Sequence, residues 1–263
     1  MGNRVAGTTS YAQTSPKTGS SPDHDAPTMR KERVMKRRIV GLAVALATAT
    51  AIGGSFPAHA SEAPKGFKLN VVHGIPGLVV DVCVNGAKPI TDFEPGDVVS
   101  GVTLPEGEYQ LDVTPAGQPC SAAILSTHAE LEGGRFRNYT VVANLDDEGT
   151  PNLLLFRNAT RKTEPGLARL VVRHTADAPA VTVWADGARL NPGREFVWSE
   201  SRRYNVPAGD YEVFVSLAGD SDPVIGPVQL TLEAGFSYQV YAWGNAADGY
   251  AFAVIPLQVG EFA

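Results

Sequence analysis

The residues with the clearest capacity for chemistry are two histidines in similar settings. In Leu170–Gly187, LVVRHTADAPAVTVWADG, His174 stands three residues before Asp177. An imidazole and a carboxylate so placed are the parts of a general acid–base pair. Such a pair also needs a reacting group within reach, and none is visible nearby. His73 holds the same place in Leu69–Gly86, LNVVHGIPGLVVDVCVNG. The duplicated position argues for a structural job, with each ring hydrogen-bonding the turn that follows it and pinning the exit of a strand. Asp177 then caps N–H groups of its own turn. His128 is the third histidine after residue 60.

Other reactive patterns are sparse. The chain has no G-x-S-x-G and no H-E-x-x-H, and no glycine cluster opens a helix to cradle phosphate. Asp146-Asp147-Glu148-Gly149 is an acidic turn without the ligand spacing of an EF-hand loop, and it reads as a solvated hairpin turn. Asn138-Tyr139-Thr140 and Asn158-Ala159-Thr160 match the glycosylation acceptor. No cofactor or metal is expected. Cys83 and Cys120 are the two cysteines, too few for a metal site. In an oxidising compartment they point to a disulfide worth about 4 kcal/mol, with buried free thiols as the alternative. All three tryptophans, Trp184, Trp198 and Trp243, lie in the later part of the chain. Strand alternation puts Trp184 on an outer face, and Tyr241 and Trp243 on one shared face. Trp184, Tyr241 and Trp243 are therefore a candidate surface for stacking on sugar rings or anchoring a protein. The competing reading packs that face on another part of the chain.

The elements that must hold these residues are written twice. The two quoted stretches align without gaps at an offset of 101: His73 with His174, Val80 and Val82 with Val181 and Val183, Asn85-Gly86 with Asp186-Gly187. The match continues, with LPEGEYQLDV (104–113) against VPAGDYEVFV (206–215) and NYTVVAN (138–144) against SYQVYAWGN (237–245). A period near 100 residues is the size of a whole domain and too long for a solenoid. Apolar residues recur with period two, as in Val80, Val82 and Val84, and are followed by Asn-Gly or Asp-Gly, a strong hairpin signal. The pattern predicts about seven strands per copy and no long helix. The expected fold is all-β: two tandem Ig-like or transthyretin-like antiparallel β-sandwiches, over 66–157 and 167–258, joined by a linker at 158–166. A closed barrel is the competing architecture.

The first 60 residues read differently. A polar stretch leads to a basic run from Arg30 to Arg38, then IVGLAVALATATAI (39–52), then Ala58-His59-Ala60. That order predicts a disordered extension and a secretory signal peptide cut between Ala60 and Ser61, with Met1, Met29 or Met35 as the start. The apolar run is shorter than the roughly 20 residues that span a bilayer, and no later stretch reaches that length. Cleavage removes 8 of the 22 basic and 3 of the 28 acidic residues, so the net charge goes from −6 to −11. Such a surface repels phosphate backbones, which argues against nucleic acid as a partner. The expected location is extracellular or in the cell wall.

VVRHTADAPAVTVWADG, with Val206-Pro207-Ala208-Gly209-Asp210-Tyr211 after it, resembles the signature of the domain-of-unknown-function 4397 family. In the first copy GIPGLVV replaces the Asp-Ala-Pro core. The resemblance implies two tandem sandwich-like domains in a secreted or cell-envelope bacterial protein, and it carries no catalytic residues. The reading that follows is a non-catalytic pair of modules binding an envelope protein or polysaccharide. The alternatives are a secreted hydrolase with a site at the domain junction and a purely structural spacer.

Overall fold

The computed structural model describes residues 65–260. The expected signal segment and its Ala60–Ser61 cleavage site lie outside the described residues. Sixteen strands follow one another. The first copy contributes β1 (Gly66–His73), β2 (Val80–Val84), β3 (Ala87–Phe93), β4 (Val98–Pro105), β5 (Gly107–Pro115), β6 (Leu125–Leu131), β7 (Asn138–Leu145) and β8 (Pro151–Arg157). The second contributes β9 (Leu167–His174), β10 (Val181–Ala185), β11 (Ala188–Arg189), β12 (Ser201–Pro207), β13 (Gly209–Leu217), β14 (Pro223–Leu232), β15 (Phe236–Asn245) and β16 (Gly249–Gln258). Each copy thus has eight strands rather than about seven. The only helical element among the described residues is one 3₁₀ turn, Cys120–Ala122.

Four open sheets result, and the two copies repeat one topology. An outer sheet ordered β3-β2-β5-β6 and an inner sheet ordered β4-β1-β7-β8 form the first sandwich. Their counterparts β11-β10-β13-β14 and β12-β9-β15-β16 form the second. No barrel closes. One feature departs from the all-antiparallel expectation: β1 pairs with β7, and β9 with β15, in parallel. Parallel neighbours cannot be joined by a tight hairpin, and here five intervening strands make the connection. The segment after each histidine is therefore a crossing from inner to outer sheet. Asn85-Gly86 and Asp186-Gly187 do form tight turns between β2 and β3 and between β10 and β11, with both residues of each pair at positive φ.

Period-two valines supply the cores. Leu170, Val172, Val181, Val183, Val215 and Val240 pack with Phe196 in the second copy. In the first, Val71, Val80, Val82 and Val113 pack with Phe93, and Phe67 packs with Tyr109 and Tyr139. Each fully buried side chain of this size stabilises by about 1.5–3 kcal/mol relative to exposure. Cys83 is fully buried and bonded to Cys120, tying β2 to the turn after β5. At the equivalent place in the second copy, Trp184 faces Phe214 across the strand pair, with ring centroids 5.4 Å apart and planes 11° from parallel.

A further buried layer joins the copies. The inner sheets face one another, with β7 against β15 and β4 against β16. Val72, Val142, Tyr241, Ala253, Ile255 and Leu257 form a shared apolar cluster. Beside it, Asn138 Oδ1 accepts from the side-chain amides of Asn70 and Asn158, each at 2.7 Å. Both glycosylation-like asparagines, Asn138 and Asn158, are thereby buried. Trp243 lies against Gly74 and Gly96, where a Cβ would stand 2.9 Å and 2.8 Å from the indole residue's atoms. Those two positions have no side chain because Trp243 takes the space.

Candidate functional site

Each crossing is fixed by its histidine. His73 Nε2 lies 2.7 Å from the Leu78 carbonyl and His174 Nε2 lies 3.0 Å from the Pro179 carbonyl. A carbonyl only accepts, so Nε2 carries the proton in both rings. Both Nδ1 atoms are buried without a partner. Burial pushes both imidazoles below the ordinary histidine range, against smaller opposing pulls from the carbonyl bonds and from Asp97 at His73, or Asp147 and Glu200 at His174. The rings are neutral pins of the chain, as the duplicated position suggested.

This sets the sign of a pH response. Above about pH 6.5 both histidines are neutral folded and unfolded, and the full stability is present. As pH falls below that, the unfolded chain takes up protons that the folded chain refuses, and stability drops by about 1.4 kcal/mol per pH unit for each histidine until its folded value is reached. The urea midpoint is expected to fall between pH 7.5 and 5.5. Replacing both His73 and His174 with Gln flattens that window. A flat wild-type profile would count against the pinned neutral rings.

The His174 crossing has a second role. Its residues Asp177, Ala178, Pro179 and Ala180 line a cleft of about 380 Å³ together with Val197, Trp198 and, from the first copy, Asp147. Trp198 Nε1 donates to the Leu145 carbonyl at 3.0 Å, so this indole spans the junction. Asp177 Oδ2 lies close against Gly149, where a Cβ would be 3.3 Å away. Its backbone carbonyl accepts from the Tyr250 hydroxyl at 3.0 Å. The crossing is thus held by His174, by Tyr250 and by the Asp146–Thr150 turn of the first copy. In that turn Asp146 Oδ1 accepts from the N–H groups of Glu148 and Thr150, at 3.0 and 2.8 Å. Among the described residues no cluster of three or more His, Cys, Asp or Glu is arranged to hold a metal ion.

The candidate aromatic surface is corrected by this geometry. Tyr241 is 0 % exposed, and Trp243 is half-buried beside it; the shared face is covered by the first copy. Trp184 lies elsewhere, on the outer sheet. Phe214 stacks with its indole from the strand on one side, and the Arg189 guanidinium lies 4.9 Å from the ring centroid from the strand on the other. Trp184 is part-buried between these two neighbours, far less open than a free aromatic face on which a sugar ring stacks. The three residues form no common surface. Two tryptophans of the second copy, Trp198 and Trp243, instead fasten it to the first, which gives the uneven distribution of tryptophan a physical reason. His128 is exposed on β6, with Nε2 3.8 Å from Glu108, and is not part of the cleft. Sequence reasoning missed Asp147, Val197 and Trp198 as a group. The signal for them was the junction, because each sits in a loop at the same end of its sandwich.

Comparison with known proteins adds one family. A family model described as "Domain of unknown function (DUF4397)" matches residues 67–184, from β1 to the end of β10 but for its first and last residues. None of the curated proteins matches the chain. Among solved structures, the Bacillus anthracis TIE protein aligns at 14 % identity over 76 % of this chain, with a TM-score of 0.19. The alignment spans 32 % of that protein's chain, about a third of its length.

Proposed function

Given that the chain belongs, through residues 67–184, to the DUF4397 family, we propose that it is a non-catalytic binding module of the cell envelope or extracellular space. Its two sandwiches act as one body, and the cleft at their junction receives the partner, an envelope protein or a polysaccharide. The observation that carries this reading is the cleft itself, about 380 Å³, built from a loop of each copy and held by the Trp198–Leu145 bond across the junction. Loops set on a rigid scaffold are where binding concentrates. The histidine nearest the cleft has its Nε2 proton committed to Pro179, so the arrangement favours holding a ligand over moving its protons. Export follows from the leader pattern before residue 61 and agrees with the disulfide, since such bonds persist in oxidising compartments.

The test uses bulk. Val197 is 43 % exposed on the cleft wall, so Val197→Trp fills the cleft without disturbing a core. Co-sedimentation of the purified chain with cell-wall and membrane fractions is expected, and Val197→Trp is expected to reduce it at least tenfold. Equal co-sedimentation of the variant would remove the cleft from the account.

A further inference from the structure

The cleft has an uneven chemistry. Five of its seven lining residues are apolar or aromatic: Ala178, Pro179, Ala180, Val197 and Trp198. The other two are carboxylates, Asp147 from the first copy and Asp177 from the second. Neither carboxylate has a hydrogen bond or ion pair to a side chain among the described residues, and no Lys or Arg lines the cleft. The neighbouring acids are already occupied: Asp146 by its own turn, Glu200 by Arg194 and Arg202.

We propose that the cleft docks a protein segment bearing a lysine or arginine, with the apolar stem of that side chain lying against Pro179, Val197 and Trp198 and its cationic head between Asp147 and Asp177. The inference rests on the binding role of the cleft and commits it to one occupant. Charge complementarity carries the choice. Two carboxylates lining one cleft, contributed by different copies and without an ion pair among the described residues, suit a cation. A long basic side chain is itself half apolar, with a stem that covers hydrophobic surface while its head stays polar. A neutral polysaccharide would use the carboxylates only as acceptors and would leave their charge uncompensated in the cleft. The net charge of −11 after residue 60 steers cations toward the whole molecule, and the cleft supplies the place where one fits.

The experiment uses a fluorescent lysine- and leucine-containing decapeptide, the same peptide with acetylated lysines, and a soluble neutral glycan, each titrated into the chain. The expected result is saturable binding of the first peptide alone. It is weakened at least tenfold on acetylation and blocked by Val197→Trp. The double variant Asp147→Asn with Asp177→Asn weakens it about tenfold, the effect of two exposed ion pairs. Near-UV circular dichroism checks that the variants are folded. If the Asn variant binds the peptide as the wild type does, the cation site is wrong, whatever the overall affinity. If the glycan binds and Val197→Trp blocks it, the cleft reading stands and the cationic occupant is overturned. If Val197→Trp affects neither ligand nor envelope fractions, both fall together.

Discussion

Replacing Tyr241 with Ala is expected to lower stability by about 4 kcal/mol, within the range for deleting a buried aromatic ring. Tyr241 is fully buried where the inner sheets of the two copies meet. Its hydroxyl accepts from Arg173 Nη1 at 2.5 Å and also bonds Thr140 of the first copy. Arg173 is itself only 2 % exposed, and no carboxylate among the described residues pairs with it. It is held by the Tyr241 hydroxyl, by the Arg157 carbonyl at 3.5 Å, and against the rings of Phe156 and Tyr241 at 4.6 and 5.0 Å. Burial pulls the guanidinium below its usual range and lifts the phenol above its own, while the charge and hydrogen bond between them partly offset both shifts. Removing the ring leaves a buried cation with one ring and one weak carbonyl contact, which is more costly than a cavity alone. Tyr241→Phe keeps the ring and loses the bond, so it should cost about 1–2 kcal/mol. All three tryptophans lie in the second copy, two of them against the first, so tryptophan fluorescence follows that half and the junction, and far-ultraviolet circular dichroism follows both copies throughout. In wild type the two urea transitions should coincide; in Tyr241→Ala they should separate. A shift below 1 kcal/mol with coincident transitions would contradict the coupling.

The second large effect concerns the disulfide. Cys83 and Cys120 are 37 residues apart in sequence, and closing a loop of that size restricts the unfolded chain by about 4 kcal/mol in the chain-entropy account. The double variant Cys83→Ala with Cys120→Ala is expected to lose about 2–4 kcal/mol, and reduction of the wild type should match it. The loss should fall on the first copy, since the second has the Trp184–Phe214 stack at that place and no bridge. A separate anchor limits the damage. Asp81 is buried beneath the same loop, where it accepts from Lys88 at 2.7 Å and from the N–H groups of Gly117 and Asp92. Burial alone would raise its carboxyl, but these donors outweigh it and hold the group below the usual carboxylate range. Equilibrium unfolding in urea decides the matter, and a loss under 1 kcal/mol would show that Asp81 and the strand pairing suffice.

The local grammar of the chain was legible because it depends on near neighbours. Asn85-Gly86 and Asp186-Gly187 force tight turns wherever they stand, and alternating valines declare one apolar face per strand. The histidine pins were readable from their duplication. What covers a face was not readable. Tyr241 and Trp243 do share one side of β15, as their spacing required, but the sequence does not say that the first copy lies on it. Arg173 is buried in the same sheet although a charged residue on a strand normally marks the solvent side, and nothing in its local sequence shows the cover. The parallel pairing of β1 with β7 escaped notice because it links residues some 70 positions apart. The cleft escaped for the same reason: Asp147 and Asp177 meet only once two separate sandwiches are docked.

That docking is the claim on which the cleft depends, and native-state hydrogen exchange with rising urea measures it directly. Amides of Val72 and Val142 in the first copy and of Val171 and Val240 in the second should converge on one common opening free energy. Two distinct opening energies, one for each copy, would contradict a single docked body and leave the junction without a fixed site.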